Sequence, residues 1–298
     1  MVDLTLVKKL REATGCGVSD CSQALATNNQ NYDEAVSWLR KKGLSTAVKK
    51  SGRIATEGLI GIYNDGKIAS IIEVNSETDF VAKNEKFQEL VLDTLKASIR
   101  VNNSSNYVED VKKQNINGRK IEDEFADKIT AMGENLQLRR GKTISLQGKG
   151  VIVSYVHNKI ADNLGKIGVL VALRSEAEEE ILRDLGKQLA MHIAASKPEF
   201  FDESEVPEER LAREKEIFIE RSKNSGKPQN IVEKMATSMV KKFYEENCLM
   251  NQIFVMDSSI KIADLIDKFS KVNKVSVEIQ DYVFFVLGDG LEKNKTIS

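Results

Sequence analysis

An α+β fold is predicted for this 298-residue chain, on three observations. Short apolar, strand-like runs come in pairs. Each pair is followed by apolar residues three and four apart, the pattern of a helix lying on a sheet. The arrangement occurs twice, and the two copies share an ungapped twelve-residue frame with five identities: Gly66-Lys67-Ile68 against Gly165-Lys166-Ile167, and Ser76-Glu77 against Ser175-Glu176. The core is therefore read as two related α/β halves, each a small antiparallel sheet covered by helices. Only three prolines occur, all in the second half, which leaves room for long helices.

Residues 1–42 read as a bundle of three short helices. Leu6, Val7 and Leu10 share one face of the first, and Gly15-Cys16-Gly17 ends it. Ser19 is the expected cap of the second, with Ala24 and Leu25 inward. Asn31 and Glu34 have capping-box spacing and open the third, which turns Ala35, Val36 and Leu39 inward. Residues 43–56 read as a basic linker that has room for one helical turn or two. A hairpin follows: Leu59, Ile60 and Ile62 lead into the turn signal Asn64-Asp65-Gly66, and Ile68 to Val74 return.

After Glu73-Val74-Asn75-Ser76-Glu77, the segment Thr78-Asp79-Phe80-Val81-Ala82-Lys83-Asn84 passes from a strand end to a helix start. Thr78 or Asp79 suits the N-cap, where a short side-chain oxygen accepts a first-turn N–H. Phe80 either staples into the core or stands at the tip of a turn, and the pattern allows both. From Glu85 to about Ile99 a helix buries Phe87, Leu90, Val91 and Leu95 on one stripe. Two more helices fit 107–131, interrupted at Asn115–Gly118. Strand alternation resumes over 143–157 around Val151, Val153 and Tyr155, and Lys166 to Leu173 is a second strand. Helices fit 176–195, 206–223 and 229–245. The last two flank Ser225-Gly226-Lys227-Pro228: Leu211 and Phe218 are seven apart, and Val232, Met235, Met239 and Phe243 recur at three and four. A short breaker between two such patterns predicts an antiparallel helical hairpin of coiled-coil type. Ile262, Leu265, Ile266 and Phe269 mark a final helix, and Val275 to Leu287 a final strand before Gly288-Asp289-Gly290.

Four segments in this order, Leu10-Arg-Glu-Ala-Thr-Gly-Cys-Gly17, Thr78-Asp-Phe-Val-Ala-Lys-Asn84, Ala190-Met-His-Ile-Ala-Ala-Ser-Lys-Pro-Glu-Phe200 and Ser225-Gly-Lys-Pro228, resemble the elongation factor Ts family, the nucleotide exchange factors of elongation factor Tu. The resemblance covers most of the chain. It implies a ubiquitin-associated-like N-terminal bundle with linker over 1–53, core halves at 54–140 and at 141–204 with 246–298, and a protruding coiled-coil hairpin over 205–245. It implies binding to elongation factor Tu, in its GDP-bound and nucleotide-free forms, and accelerated GDP release without enzymatic chemistry. Thr78, Asp79, Phe80 and Val81 match the family segment that dislodges magnesium from Tu, with Phe80 as the wedge. Arg11, Val18 and Ser19 match the N-terminal contact region, although Val18-Ser19 is less apolar than the common pattern. His157 matches a contact beside the wedge, and an exposed loop histidine with no such role fits the sequence equally.

Composition narrows the alternatives. Charged residues make up 30% of the chain, yet the net charge is −1, which argues against direct nucleic-acid binding. Nine Lys/Arg against five Asp/Glu make residues 1–53 locally basic, and fourteen Asp/Glu against six Lys/Arg make 175–220 acidic. Such patches are solvated faces that can also steer a protein partner. Cys16, Cys21 and Cys248 are too few for a disulfide framework. With no signal or transit pattern at the start, they suggest a reducing cytoplasm. No apolar run is long enough to cross a membrane. Gly141-Lys142-Thr143 looks like the end of a phosphate loop, but Leu136 occupies the place of its first glycine. His157 and His192 are the only histidines, and His192 lies on an apolar helix face that suits a packed histidine. No metal, cofactor or catalytic residue is expected. An adaptor without exchange activity, or a hydrolase built on dispersed carboxylates, would use the same fold. Homodimerisation through the core or the coiled coil stays open.

Overall fold

The computed structural model describes residues 2–223 and 229–291, with the side chains of Phe218, 221–223 and 229–237 excepted. Ser225-Gly226-Lys227-Pro228, and the side chains of Phe218, Val232 and Met235 of the helical-hairpin pattern, therefore lie outside what is described. The elements in order are α1 (Leu4–Thr14), α2 (Val18–Thr27), α3 (Tyr32–Lys50), β1 (Glu57–Asn64), β2 (Ile68–Ser76), α4 (Asp79–Ala82), α5 (Glu85–Ser98) and α6 (Tyr107–Lys112). Then come β3 (Asn115–Ile116), β4 (Arg119–Lys120), α7 (Ile121–Met132), β5 (Gln137–Ser145), β6 (Gly150–Ala161), β7 (Leu164–Ser175) and α8 (Glu179–Ser196). The last are α9 (Glu208–Lys223), α10 (Gln229–Asn247), α11 (Ile262–Asn273) and β8 (Val277–Val286). The fold is α+β. Its strands hydrogen-bond in the order β5-β2-β1-β7-β6, with β8 also on β7. One order replaces the separate sheet expected for each half, because the free edge of β1 does not stay open: Ile60 pairs with Gly165 and Gly61 with Leu164.

Two compact units divide the chain. The first comprises the described residues of Met1–Ser145, Val156–Leu170 and Phe285–Ser298. Its N-terminal helices bury Val7, Leu10, Cys16, Cys21, Ala24, Leu25, Ala35 and Leu39 together. Gly15, at φ +70°, ends α1 and donates its N–H to the Arg11 carbonyl. The extended Gly17 then starts α2 at Val18 with no side-chain cap. Ser19 thus lies inside the helix and does not cap it. Asn31 does cap α3, accepting from the amides of Asp33 and Glu34.

The end of the third helix expected near residue 42 is corrected, although the one or two helical turns expected beyond it are present. Residues 43–50 continue α3 in one 19-residue helix, which packs on α7. Gly43 makes this possible, since a Cβ there would lie 3.1 Å from Thr130 Oγ1 and 3.6 Å from the Ala126 carbonyl oxygen. Gly43→Leu is expected to force α3 off α7 and cost about 1–3 kcal/mol, read as a lower urea midpoint.

β1 and β2 form the expected hairpin, in register from Glu57↔Ser76 to Asn64↔Ala69. The Asn64 side chain accepts the Gly66 N–H at 2.8 Å, and Gly66 has φ +95°. Phe87, Leu90, Val91 and Leu95 of α5 join Leu59, Ile72 and Val74 in the core. β5 begins before the predicted alternation. A bulge between Glu73 and Val74 sets both Arg139 and Arg140 against the single residue Glu73. Glu73 is fully buried. It accepts from Arg139 at 3.0 and 3.1 Å, from Arg140 at 2.6 Å and from the Gly288 N–H at 2.8 Å.

The second unit comprises Leu146–Tyr155 and Val171–Phe284. Leu182, Leu185, Leu189 and Ile193 of α8 are buried. Gly186 sits so close to the strands that a Cβ would be 2.5 Å from Val153 Cγ2. Of α11, Ile262 and Ile266 are buried. α9 and α10 pack on each other, with Arg210 over the Phe243 ring. His192 is wholly buried. Its Nδ1 accepts the Val255 N–H at 3.3 Å, so Nε2 carries the proton and donates to Gln252 Oε1 at 2.9 Å. Burial lowers its pKa from the ordinary 6.5 and outweighs the Gln252 bond, which raises it. The stability this neutral histidine contributes is present above pH 6.5. It declines as pH falls towards the depressed folded value, because the unfolded chain takes up the proton first. Urea midpoints should fall below pH 6.5, and less steeply in His192→Asn.

Candidate functional site

The segment 78–83 leaves β2 as a single helical turn. An isolated turn is unstable, because nucleation fixes several dihedrals for one hydrogen bond, so this one depends on its surroundings. Val81 and Ala82 face inward, 8% and 1% exposed, and join the α5 core. Burying the valine contributes about 1.5–3 kcal/mol. The turn's carbonyls are satisfied in sequence: Phe80 O by the Lys83 N–H, Val81 O by the Asn84 N–H, and Ala82 O by Gln88 Nε2 at 3.2 Å. Asn84 then caps α5 by accepting from the Lys86 N–H.

With 81 and 82 inward, helical spacing turns 79, 80 and 83 outward. Phe80 is 78% exposed. Lys83 Nζ is 2.9 Å from Asp79 Oδ2 and 5.8 Å from the Phe80 ring centroid, so one ammonium spans both outward neighbours. The Lys83 hydrogen bond and charge, with the charge of Lys166, hold the Asp79 carboxyl below the usual range against a smaller opposing effect of burial. Lys166 itself bonds Glu57 at 3.2 Å.

Thr78 occupies the N-cap position with extended backbone but makes no side-chain cap bond. Its hydroxyl donates instead to Glu134 Oε1 at 2.6 Å, and its N–H donates to Glu134 Oε2 at 3.0 Å. Ser76 Oγ donates to the Thr78 carbonyl at 2.8 Å. One residue along, the pattern is reciprocated: Glu77 Oε1 accepts the Asn135 N–H at 2.6 Å. Asn135 Nδ2 donates to the Arg53 carbonyl at 2.8 Å, just beyond α3. Gly133, at φ +77°, ends α7 and turns Glu134 and Asn135 towards the site. Sequence reasoning missed Glu134 and Asn135. The only local signal is the glycine after α7, and nothing in it points to a partner 56 residues earlier.

The other predicted residues lie on other elements of the same unit. Arg11, Val18 and Ser19 are exposed at the corner between α1 and α2. A Cβ on Gly15 at that corner would lie 3.5 Å from Ala131 Cβ and 3.8 Å from Lys86 Nζ, so the corner sits against the end of α7 and within reach of the Lys86 side chain. His157 is exposed on β6. Its carbonyl oxygen is 2.8 Å from where a Cβ on Gly165 would stand, next to the Lys166 that influences Asp79. Val81 is the exception among the predicted set, since its side chain serves the core. Among the described residues no group of three or more His, Cys, Asp and Glu could hold a metal ion, and no helix is long and apolar enough to cross a membrane.

Fold and site together define an α+β protein that presents one aromatic side chain outward on a braced turn. A family model described as Elongation factor TS matches residues 77–289. Proteins named Elongation factor Ts are similar along nearly the whole chain. That of Rhizobium etli (strain CIAT 652) is 42% identical over 99% of this chain and 95% of its own length. That of Erythrobacter litoralis is 44% identical over 97% and 94%, and that of Rhodospirillum rubrum 43% identical over 99% and 96%. The chain belongs to the elongation factor Ts family, and is a translation elongation factor of that kind.

Proposed function

We propose that this protein binds elongation factor Tu, in its GDP-bound and nucleotide-free states, and promotes exchange of GDP for GTP by disturbing the magnesium and phosphate site. The observation that carries the reading is Phe80, 78% exposed on a turn that neighbouring groups hold from both sides. A large exposed aromatic loses water favourably only when it enters another surface. Magnesium demands near-octahedral oxygen ligation. Pushing aside the helix that supports its ligands therefore weakens GDP with no bond made or broken in the exchange factor, and no catalytic residue or cofactor of its own is needed. Linkage is reciprocal, so the factor by which this protein weakens GDP is the factor by which GDP weakens this protein.

Within the reading, Asp79 holds Lys83 beside the wedge, and His157 contacts the partner next to it. Arg11, Val18 and Ser19 make a second contact from a ubiquitin-associated-like bundle. α9 and α10 form the coiled-coil hairpin, and the protein works in the cytoplasm without binding nucleic acid directly. The test is release of labelled GDP from purified elongation factor Tu with and without this protein. Acceleration supports exchange activity. Binding to Tu with an unchanged release rate would make the protein an adaptor and overturn the reading.

A further inference from the structure

We propose that Glu134 is a positioning residue for the Phe80 wedge, and that its carboxylate sets how firmly the turn holds its shape against the partner. This rests on the exchange reading above. Three bonds converge on Thr78, two from the Glu134 carboxylate at 2.6 and 3.0 Å and one from Ser76 at 2.8 Å. Phe80 follows two residues later, and α4 has only four residues, too few to resist bending by its own hydrogen bonds. The exit of the turn is anchored by buried Val81 and Ala82 and by the Asn84 cap. The entry is anchored by Glu134 and Ser76.

A wedge works by displacing a packed element, and that element pushes back. A turn that yields still binds, because the aromatic still finds its pocket, but it displaces less. The Thr78–Glu134 bonds are made in the free protein, so the cost of ordering the turn is met before the partner arrives. The reciprocal bond from the Asn135 N–H to Glu77 holds the 134–135 corner in place, so that Glu134 braces the turn from a fixed point.

The experiment has two readouts on Glu134→Ala, Glu134→Gln and Thr78→Val in the full chain. The first needs no partner: hydrogen–deuterium exchange of the hydrogen-bonded amides of Thr78, Lys83 and Asn84. Glu134→Ala should speed it about tenfold or more. The second is GDP release from elongation factor Tu over a range of exchange-factor concentrations. Glu134→Ala should lower the maximal rate by about ten- to a hundredfold while the half-saturating concentration changes little. Glu134→Gln should restore both, because an amide can accept the Thr78 N–H through its oxygen and donate to the hydroxyl through its nitrogen. Thr78→Val, which loses only the hydroxyl bond, should fall between. A Glu134→Ala protein with wild-type maximal rate, or one whose loss is entirely in half-saturation, overturns the positioning role. So does unchanged amide exchange. If wild type and Phe80→Ala release GDP alike, the exchange reading itself fails, and the partner-free measurement still decides whether Glu134 braces the turn.

Discussion

Phe80→Ala is expected to keep the melting temperature of the protein within a few degrees and to remove most of its acceleration of GDP release. The two halves of this result have separate causes. Truncating a core phenylalanine costs about 3–5 kcal/mol, but Phe80 is 78% exposed, so its removal opens no cavity. The aromatic is also the one large apolar group the turn offers, so on the proposed exchange reading its removal takes away the principal contact. Phe87→Ala supplies the contrast, because Phe87 is fully buried in the same unit and should lose the full core penalty. Val81→Ala lies between, destabilising because Val81 is 8% exposed. Stripping magnesium from elongation factor Tu with EDTA should narrow the gap between wild type and Phe80→Ala, since part of the wedge's work is then already done. A destabilised Phe80→Ala protein, or one with full activity, would remove the wedge assignment.

Glu73→Ala should be the most destabilising single change among the polar residues discussed, by about 3–5 kcal/mol. Glu73 is fully buried, and its two oxygens receive Arg139, Arg140 and the Gly288 amide. Deleting the carboxylate leaves two guanidinium groups facing a void, and the Gly288 N–H loses its acceptor. The arginines are each partly exposed, 22% and 30%, so water will recover part of the cost. Arg140 also keeps the Val286 carbonyl, at 2.9 Å, and the face of Phe285. At this chain length the loss corresponds to a melting temperature lower by about 6–20 °C. Glu73→Gln should cost less, because it keeps an acceptor and fills the space. A melting temperature unchanged in Glu73→Ala would mean that the bulge in β5 is held by its backbone alone.

The sequence was most legible where apolar residues cluster or repeat. β1 and β2 follow from two short apolar runs on either side of a turn signal, α5 follows from the stripe Phe87, Leu90, Val91 and Leu95, and the turn at Asn64-Asp65-Gly66 follows from its side-chain chemistry. β5 was not legible at its start, because Arg139, Arg140 and Gly141 do not look like strand residues until Glu73 is placed opposite them. The end of α3 was misread for a similar reason. Gly43, Ser45 and Thr46 are poor helix formers in isolation, and the close approach of α7 overrides that preference. At the site, the motif marked the place but not its support. Thr78 has the chemistry of a cap, and only the fold reveals that its hydroxyl is committed to Glu134.

The unbroken α3 changes what kind of ligand this protein can be. A helix of 19 residues is a rod about 28 Å long, and its seat on α7 fixes the α1–α2 corner relative to the Phe80 turn within one unit. Two contacts joined by a floppy tether cooperate only through the effective concentration the tether allows, which falls as it lengthens. Two contacts on a rod either match the spacing of the partner's surface or fail together. A Gly-Ser insertion at residue 43 would turn the rod back into a tether, and the affinity it costs would measure how much of the binding comes from geometry alone.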